Sequence, residues 1–494
     1  MAKTPALRIH PMNDAPVRAE RDFVLYWMVA NRRATDNFSL QRAVEWAEEL
    51  DKPLVVLEAL RVGYRWASDR FHAFILQGMA DNVRTFAEKP VLYYPYVETA
   101  PDAGKGLLKA LGQRACVVVT DDFPAFMLPH MIAAGARQVD VTMEAVDSNG
   151  ILPMRAAPQV FTTAYAFRRY LQNVLISHLQ AFPEPDPLAA IALPRLAALP
   201  ETVTSRWPAA DASILAAGPR ALASLPIDHT VPPVAIRGGP EAANAVLHVF
   251  VSQHLRRYPD ERNQPEKSVT SGLSPYLHFG HISAHTVFRA LMIADGWSLD
   301  RLATKGIGSR AGWWGASPAV EAYVDQLVTW RELGYNMAWQ QPDYDQYDTL
   351  PDWAKTTLAE HADDPRPVRY DLAELESART CDPLWNAAQM QLVAEGRIHN
   401  YLRMLWGKKI LEWSASPQDA LAVMIELNNK YALDGRNPNS YSGIFWVLGR
   451  YDRAWGPERP IYGKIRYMTS ENTARKVHVA DYIRRYARQT RLLL

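Results

Sequence analysis

Residues 23–29 read FVLYWMV, a continuous apolar run of strand length, and this run decides how the first half of the chain folds. Similar runs recur at 54–57, 91–94, 116–120 and 138–141, separated by helical segments at 40–50, 71–86 and 126–134. Strand, helix, strand with fully apolar strands is the pattern of a parallel sheet covered on both faces. An α/β domain with a five-stranded, parallel Rossmann-like sheet is therefore expected over residues 20–180. No GxGxxG or Walker A pattern follows the first strand, which excludes a standard dinucleotide or nucleoside triphosphate site. Ligands of such sheets bind at the carboxyl ends of the strands. That rim would hold Asn31, Arg32, Arg33, Asp36 and Asn37 after the first strand, with Asp121 and Asp122 after the fourth. On composition it reads as a solvated loop.

From 183 to 240 the texture changes, with eleven of the 35 prolines set among Ala, Leu and Ser. Residues 181–240 read as a linker with short helical pieces on the surface of both domains. Beyond 241 nearly every segment is helical: 241–258, 284–294, 319–340, 352–360, 383–395, 398–413 and 417–431. Ser283 and Ser416 are N-cap candidates, the second followed by Pro417 at the first helical position. The expectation for 241–494 is an all-α domain large enough to enclose a cofactor.

A net charge of +1 over 494 residues excludes a globally basic nucleic-acid binder but not a local patch. From 451 onward ten Lys/Arg stand against four Asp/Glu, so a phosphate-binding face is expected there. Cys116 and Cys381 have neither CxxC spacing nor nearby His partners, which argues against a disulfide scaffold and against structural zinc. No secretory signal or membrane-spanning run is apparent, so a cytoplasmic chain without an obligate protein partner is expected. Eleven of the fifteen Trp lie beyond residue 240, so aromatic function belongs to the second half.

Residues 397–455 concentrate the polar and aromatic signals. Trp406 and Trp413 lie seven apart on one predicted helix, hence on one face. Spacing alone reads as two core indoles. The Asn-rich turn that follows, before Trp446, is unusual core material because buried amides need partners, and it suits the lining of a pocket for a planar polar ligand.

Seven quoted stretches then fall in order: YWM..N.R..DN at 26–37, TSGLSPYLHFGHIS at 270–283, VTWREL at 328–333, DPLWNAAQ at 382–389, RIHNYLRMLWGKKILEW at 397–413, LDGRNPNSY at 433–441 and GKIRYM at 463–468. Together they resemble the cryptochrome/photolyase superfamily, and within it the class II cyclobutane pyrimidine dimer photolyases. The resemblance implies an antenna domain, a long linker and a helical domain holding FAD, with light-driven electron transfer from reduced FAD (FADH−) to a flipped-out pyrimidine dimer in UV-damaged DNA. It implies a second chromophore in the antenna domain, 8-hydroxy-5-deazaflavin being the class II choice. For FAD it implies Tyr258, Thr270, Ser271, Gly272, Leu273, Ser274, Arg331, Gly435 and Arg436, with Asp434 and its ion-pair partner Arg403 by the isoalloxazine and Asn428 at flavin N5. Trp330 and Trp446 match the aromatic walls for the dimer, and Met404 the thioether beneath it. Trp406, Trp385 and Trp413, in that order outward from the flavin, match the class II electron relay. Class I enzymes place a Trp where this chain has Ile444.

The chain departs from that pattern around the lesion pocket. The class II active-site Glu is Gln326 here, which still donates a hydrogen bond but cannot supply a proton. GRDPNGY becomes GRNPNSY, with Asn437 and Ser440 in place of Asp and Gly, and Asn400 stands where class II has Gly. GWWG at 312–315 matches nothing in the family. Gln326 keeps open an alternative, a blue-light photoreceptor of the same fold that repairs little. DNA contact is expected from Arg450 and Arg453 beside Trp446, and from Lys464 and Arg466.

Overall fold

A computed structural model describes the backbone of residues 3–493 and the side chains of residues 3–487. Two compact units emerge, and they do not follow chain order. One holds residues 1–158, 173–249 and 272–296; the other holds 159–172, 250–271 and 297–494.

The first unit is built on a six-stranded sheet in the order β1-β6-β5-β2-β3-β4. Its strands are β1 (Ile9–Pro11), β2 (Phe23–Met28), β3 (Leu54–Leu60), β4 (Val91–Val97), β5 (Ala115–Asp121) and β6 (Met143–Val146). All pairings are parallel except β1 on β6. Every residue of β2, β5 and β6 is buried, the condition that continuous apolar runs anticipate. Helices α1 (Phe38–Leu50), α2 (Asp69–Ala87) and α3 (Leu128–Ala136) separate the strands.

Two expectations change. The sheet has a sixth strand, β1, whose three residues IHP carry no periodicity to read and which pairs antiparallel at the edge. The strand expected at 138–141 lies instead at Met143–Val146, because the preceding residues form the turn out of α3.

The rim at the carboxyl ends of β2 and β5 is also not a solvated loop. Asp121 is fully buried. It accepts hydrogen bonds from the Tyr26 hydroxyl (2.8 Å), from the backbone N–H groups of Val29, Ala30 and Asn31 (2.7–2.9 Å), and from Asn31 Nδ2 (3.0 Å). Asn37 caps α1 by accepting from Ser39 N and Leu40 N. Arg33 donates to Thr35 O, Asp36 O, Asn31 Oδ1 and Gly280 O. Chain polarity misled here, because backbone donors at the ends of parallel strands need buried acceptors.

The proline-rich stretch packs within this unit as short helices at Glu201–Thr204, Ala212–Leu215 and Pro219–Ala223. Trp207 is buried, and its indole donates to Ala103 O (3.0 Å). Leu222 and Leu225 join Leu76 and Met79 in one apolar cluster. In the same unit, α4 (Ala284–Ala294) begins at the expected Ser283 cap.

The second unit is helical. Its central elements are α5 (Arg331–Gln340), α6 (Pro383–Glu395), α7 (Asn400–Trp413), α8 (Pro417–Tyr431) and α9 (Pro438–Val447). Ser416 caps α8 by accepting from Asp419 N, with Pro417 at the first turn. At Gly407 the helices α7, α8 and α9 come together: a Cβ there would lie 2.5 Å from Val447 Cγ2 and 3.0 Å from Met424 Sδ. One residue along, fully buried Lys408 donates to Val447 O at the end of α9. Two predicted helices are not uniform. A π-helical turn, Phe250–His254, interrupts 241–258, and another, Asp325–Trp330, interrupts 319–340. Such turns re-aim side chains and recur at functional sites.

Candidate functional site

The second π turn sets the aromatic part of the site. Gln326 and Trp330 stand four apart on it, both half-buried, and the chain leaves it directly into α5. The Trp330 ring stacks on Trp446 from α9, with centroids 5.0 Å apart and planes 15° from parallel. At that separation nothing fits between the rings, so they do not stand as two facing jaws. Trp446 Nε1 is buried without a hydrogen-bond partner among the described residues. Met404 is half-buried one turn into α7.

A polar group is built from α5, α7, α8 and the turn before α9. Arg403 Nη2 lies 3.5 Å from Asp434 Oδ2, as a loose pair, and Arg403 Nε is buried with no partner among the described residues. Arg331 donates to the Tyr335 hydroxyl (3.1 Å) and lies over its own neighbour's ring at 4.4 Å. Asn437 Nδ2 reaches the same hydroxyl at 3.3 Å. Gly435 has no room for a side chain: a Cβ would meet Asn428 O at 2.9 Å and Ala432 O at 3.0 Å. Arg436, at φ +62°, directs its backbone N–H to Asn429 Oδ1 (2.9 Å). Asn428 Nδ2 donates to Asn429 Oδ1 (3.2 Å) and to Ser440 Oγ (2.9 Å).

Tyr258 is buried against Phe250 and Tyr323, and burial raises its phenol above the ordinary value. The Tyr323 hydroxyl donates to Ser271 Oγ (2.8 Å). Thr270 is exposed and Ser271 half-buried in this unit. Gly272, at φ +68°, Leu273 and Ser274 belong to the sheet unit, where Leu273 is fully buried.

Three indoles form a line through the helices. Trp406, Trp385 and Trp413 are 1%, 0% and 4% exposed, so none of them meets solvent directly. Trp385 Nε1 donates to Trp406 O (2.9 Å), and the Trp385 and Trp413 rings meet edge-to-face at 5.3 Å. Two members of this group were not read from the sequence. Gln389 accepts from Trp406 Nε1 (2.9 Å), and Tyr370, half-buried, meets Trp413 edge-to-face at 5.2 Å. Gln389 carried a signal, since it follows Trp385 by four residues on one helix face. Tyr370 carried none.

The expected DNA contacts divide. Arg450 is withdrawn from them: it is 3% exposed, donates to Tyr344 O (2.8 Å) and Thr349 Oγ1, and lies 3.6 Å over the Phe445 ring. Burial lowers it to about 10. Arg453, Lys464 and Arg466 are exposed. The guanidinium groups of Arg453 and Arg466 lie 4.6 and 5.1 Å from the Trp455 ring centre, while Lys464 pairs with Glu458 at 3.1 Å.

A parallel α/β unit and a helical unit carrying buried indoles and a stacked Trp pair are the parts a cryptochrome/photolyase type of protein would have, and comparison with known proteins shows that class. No protein-family model matches the chain. Three proteins named deoxyribodipyrimidine photo-lyase match nearly end to end. That of Methanothermobacter thermautotrophicus is 31% identical over 97% of this chain and 98% of its own. That of Oryza sativa subsp. japonica is 34% identical over 93% and 86%, and that of Potorous tridactylus 33% over 96% and 82%. The crystal structure of a bacterial class III photolyase from Agrobacterium tumefaciens superposes with a TM-score of 0.65 over 94% of this chain and 86% of its own; at 17% identity it bears on the fold alone. The chain belongs to the deoxyribodipyrimidine photolyases of the cryptochrome/photolyase superfamily, DNA-repair flavoproteins of the lyase class.

Proposed function

We propose that the chain is a class II photolyase, cytoplasmic, that uses reduced FAD and light to split cyclobutane pyrimidine dimers flipped out of UV-damaged DNA. The observation that supports this most is the line Trp406–Trp385–Trp413, in contact from one member to the next and buried throughout. The FAD requirement has its own support in this chain: Arg403 Nε is a buried donor with no acceptor among the described residues. An acceptor-rich ligand would satisfy it, because unpaired buried donors are costly.

In this reading Tyr258, Thr270, Ser271 and Arg331 hold the cofactor's phosphate and ribose side. Arg403, Asp434, Gly435 and Arg436 surround its ring, and Asn428 faces N5. When bound, reduced FAD would supply the photoexcited electron that opens the cyclobutane ring and is then recovered. The Trp330–Trp446 surface receives the extruded bases, replacing lost stacking at about 1–3 kcal/mol per base. Met404 packs beneath them, and Gln326 donates to a thymine carbonyl. The indole line carries electrons inward to activate oxidised cofactor. Arg453, Lys464 and Arg466 contact phosphates, which makes binding salt-sensitive and tolerant of sequence. The α/β unit takes the antenna chromophore, 8-hydroxy-5-deazaflavin, an assignment supported by the resemblance alone.

Prereduced protein illuminated with blue light should remove dimers from UV-treated DNA; undiminished dimer content would refute repair. Trp406→Phe should abolish photoreduction of the oxidised protein while leaving repair intact after chemical reduction, and persisting photoreduction would refute the relay. A photoreceptor reading gains from Gln326, which puts an amide where the family pattern has a carboxyl group. Gln326→Glu should raise the repair yield if the first reading holds, and an unchanged yield would favour the second.

A further inference from the structure

The turn before α9 differs from the family pattern at Ser440, and the structure shows what that hydroxyl touches. The orientation of the Asn428 amide is fixed by a chain of hydrogen bonds that begins on the backbone. Arg436 N–H can only donate, so Asn429 Oδ1 must accept from it (2.9 Å). The other end of that amide, Asn429 Nδ2, donates to the Tyr441 hydroxyl (3.0 Å). Asn428 lies 3.2 Å from the same Asn429 oxygen and must therefore present its Nδ2 there. Its second N–H goes to Ser440 Oγ at 2.9 Å. Asn428, Asn429 and Ser440 are all at most 2% exposed, so water does not compete for these bonds. Both hydrogens of the Asn428 amide are thus committed to protein, and Oδ1 is the polar atom left to meet a ligand.

Flavin N5 reverses its hydrogen-bonding character with redox state. It carries a hydrogen when reduced and a lone pair when oxidised. An amide that presents oxygen matches the first, and one that presents NH2 matches the second. A glycine at 440 would leave Asn428 with one anchor, from which a rotation about χ2 would be less costly. We infer that Ser440 is a positioning residue that locks Asn428 with its carbonyl toward the cofactor and so biases bound FAD toward the reduced form. This inference rests on the reading in which Asn428 faces N5.

The test compares FAD-loaded wild type with Ser440→Ala and Ser440→Gly in the dark. It measures the midpoint potential of the bound flavin spectroelectrochemically and the dissociation constants of oxidised and reduced FAD separately. Loss of one buried hydrogen bond should shift the ratio of those constants about fivefold toward the oxidised cofactor, or about 20 mV lower for a two-electron couple. Equal shifts in both variants assign the effect to the hydroxyl. An unchanged potential with FAD bound overturns the inference, as does a shift confined to Ser440→Gly, which would trace to backbone freedom. Wild-type protein that takes up no FAD would instead overturn the flavin reading on which the inference stands.

Discussion

Two arginine–carboxylate pairs, one from each unit, differ in how completely their partners are met. In the sheet unit Arg32 and Glu58 meet at 2.9 Å, and fully buried Glu58 accepts in addition from Asn82 Nδ2 (2.8 Å) and the Tyr93 hydroxyl (2.6 Å). In the helical unit Arg403 and Asp434 stand 3.5 Å apart, their side chains 16% and 12% exposed, and Arg403 Nε has no acceptor among the described residues. The first pair is closed around its carboxylate, which accepts from Arg32, Asn82 and Tyr93. The second is open, with hydrogen-bonding capacity left over. Closed networks fix a fold, whereas an open one beside an aromatic surface is prepared for something the chain does not itself supply.

Breaking the closed pair should have the largest effect on stability. Glu58→Gln keeps the volume but leaves the Arg32 charge buried without a counterion, and removal of one partner from such a pair costs roughly 3–5 kcal/mol. Urea unfolding of the variant should show that loss as a lower midpoint at unchanged m-value. A loss below about 1 kcal/mol would mean that the network opens to water and is not the closed element it resembles.

Lys408 contrasts with both pairs, as a buried amine that meets no carboxylate at hydrogen-bonding distance among the described residues. Its one described hydrogen bond is the donation to Val447 O, and burial lowers its ammonium from 10.5 to about 7. Between those values the unfolded chain holds a proton that the folded chain lacks, so stability contributed at this site rises with pH from about 7 to about 10.5. Wild type should therefore gain a few kcal/mol relative to Lys408→Met across that window, measured as the difference between their unfolding free energies at pH 7 and pH 10. Parallel pH profiles would show that Lys408 stays charged in the fold.

How much of this was legible in the sequence depends on which force sets each feature. Helices 352–360, 383–395 and 417–431 begin and end where the residues place them, because proline, acidic and serine caps act locally. The π turn at Asp325–Trp330 was not legible: its residues DQLVTW are ordinary helix formers, and the extra residue per turn is a tertiary effect. Residue type placed Arg450 among the DNA contacts, yet its position at the end of α9 turns it inward onto Phe445, where an arginine's flat face packs as well as it pairs. The rim of the sheet failed for the same reason. A polar sequence marks a loop, but only the ends of the buried strands show that Asp121 is needed as an acceptor there. The indole line came from the family resemblance, since spacing alone reads as two core indoles, and its continuation to Tyr370 was not legible because that residue arrives from a different stretch of chain.

The smallest expected effect on stability belongs to the open pair, and it is the one that separates ligand from fold. Arg403→Met keeps the aliphatic stem against α7's neighbours and removes a charge that is 16% exposed and only loosely met by Asp434. A partly solvated pair of this kind is worth under about 1 kcal/mol, so the FAD-free variant should unfold in urea within that margin of wild type. If Arg403 serves the cofactor, the same variant should retain FAD about tenfold less well, which is roughly 1.4 kcal/mol of lost binding, read as the flavin-to-protein absorbance ratio after dilution and desalting. The two measurements then move independently. A fall in stability equal to that from Glu58→Gln, with FAD retention unchanged, would make the two pairs alike and remove the distinction between a closed and an open network on which the site assignment turns.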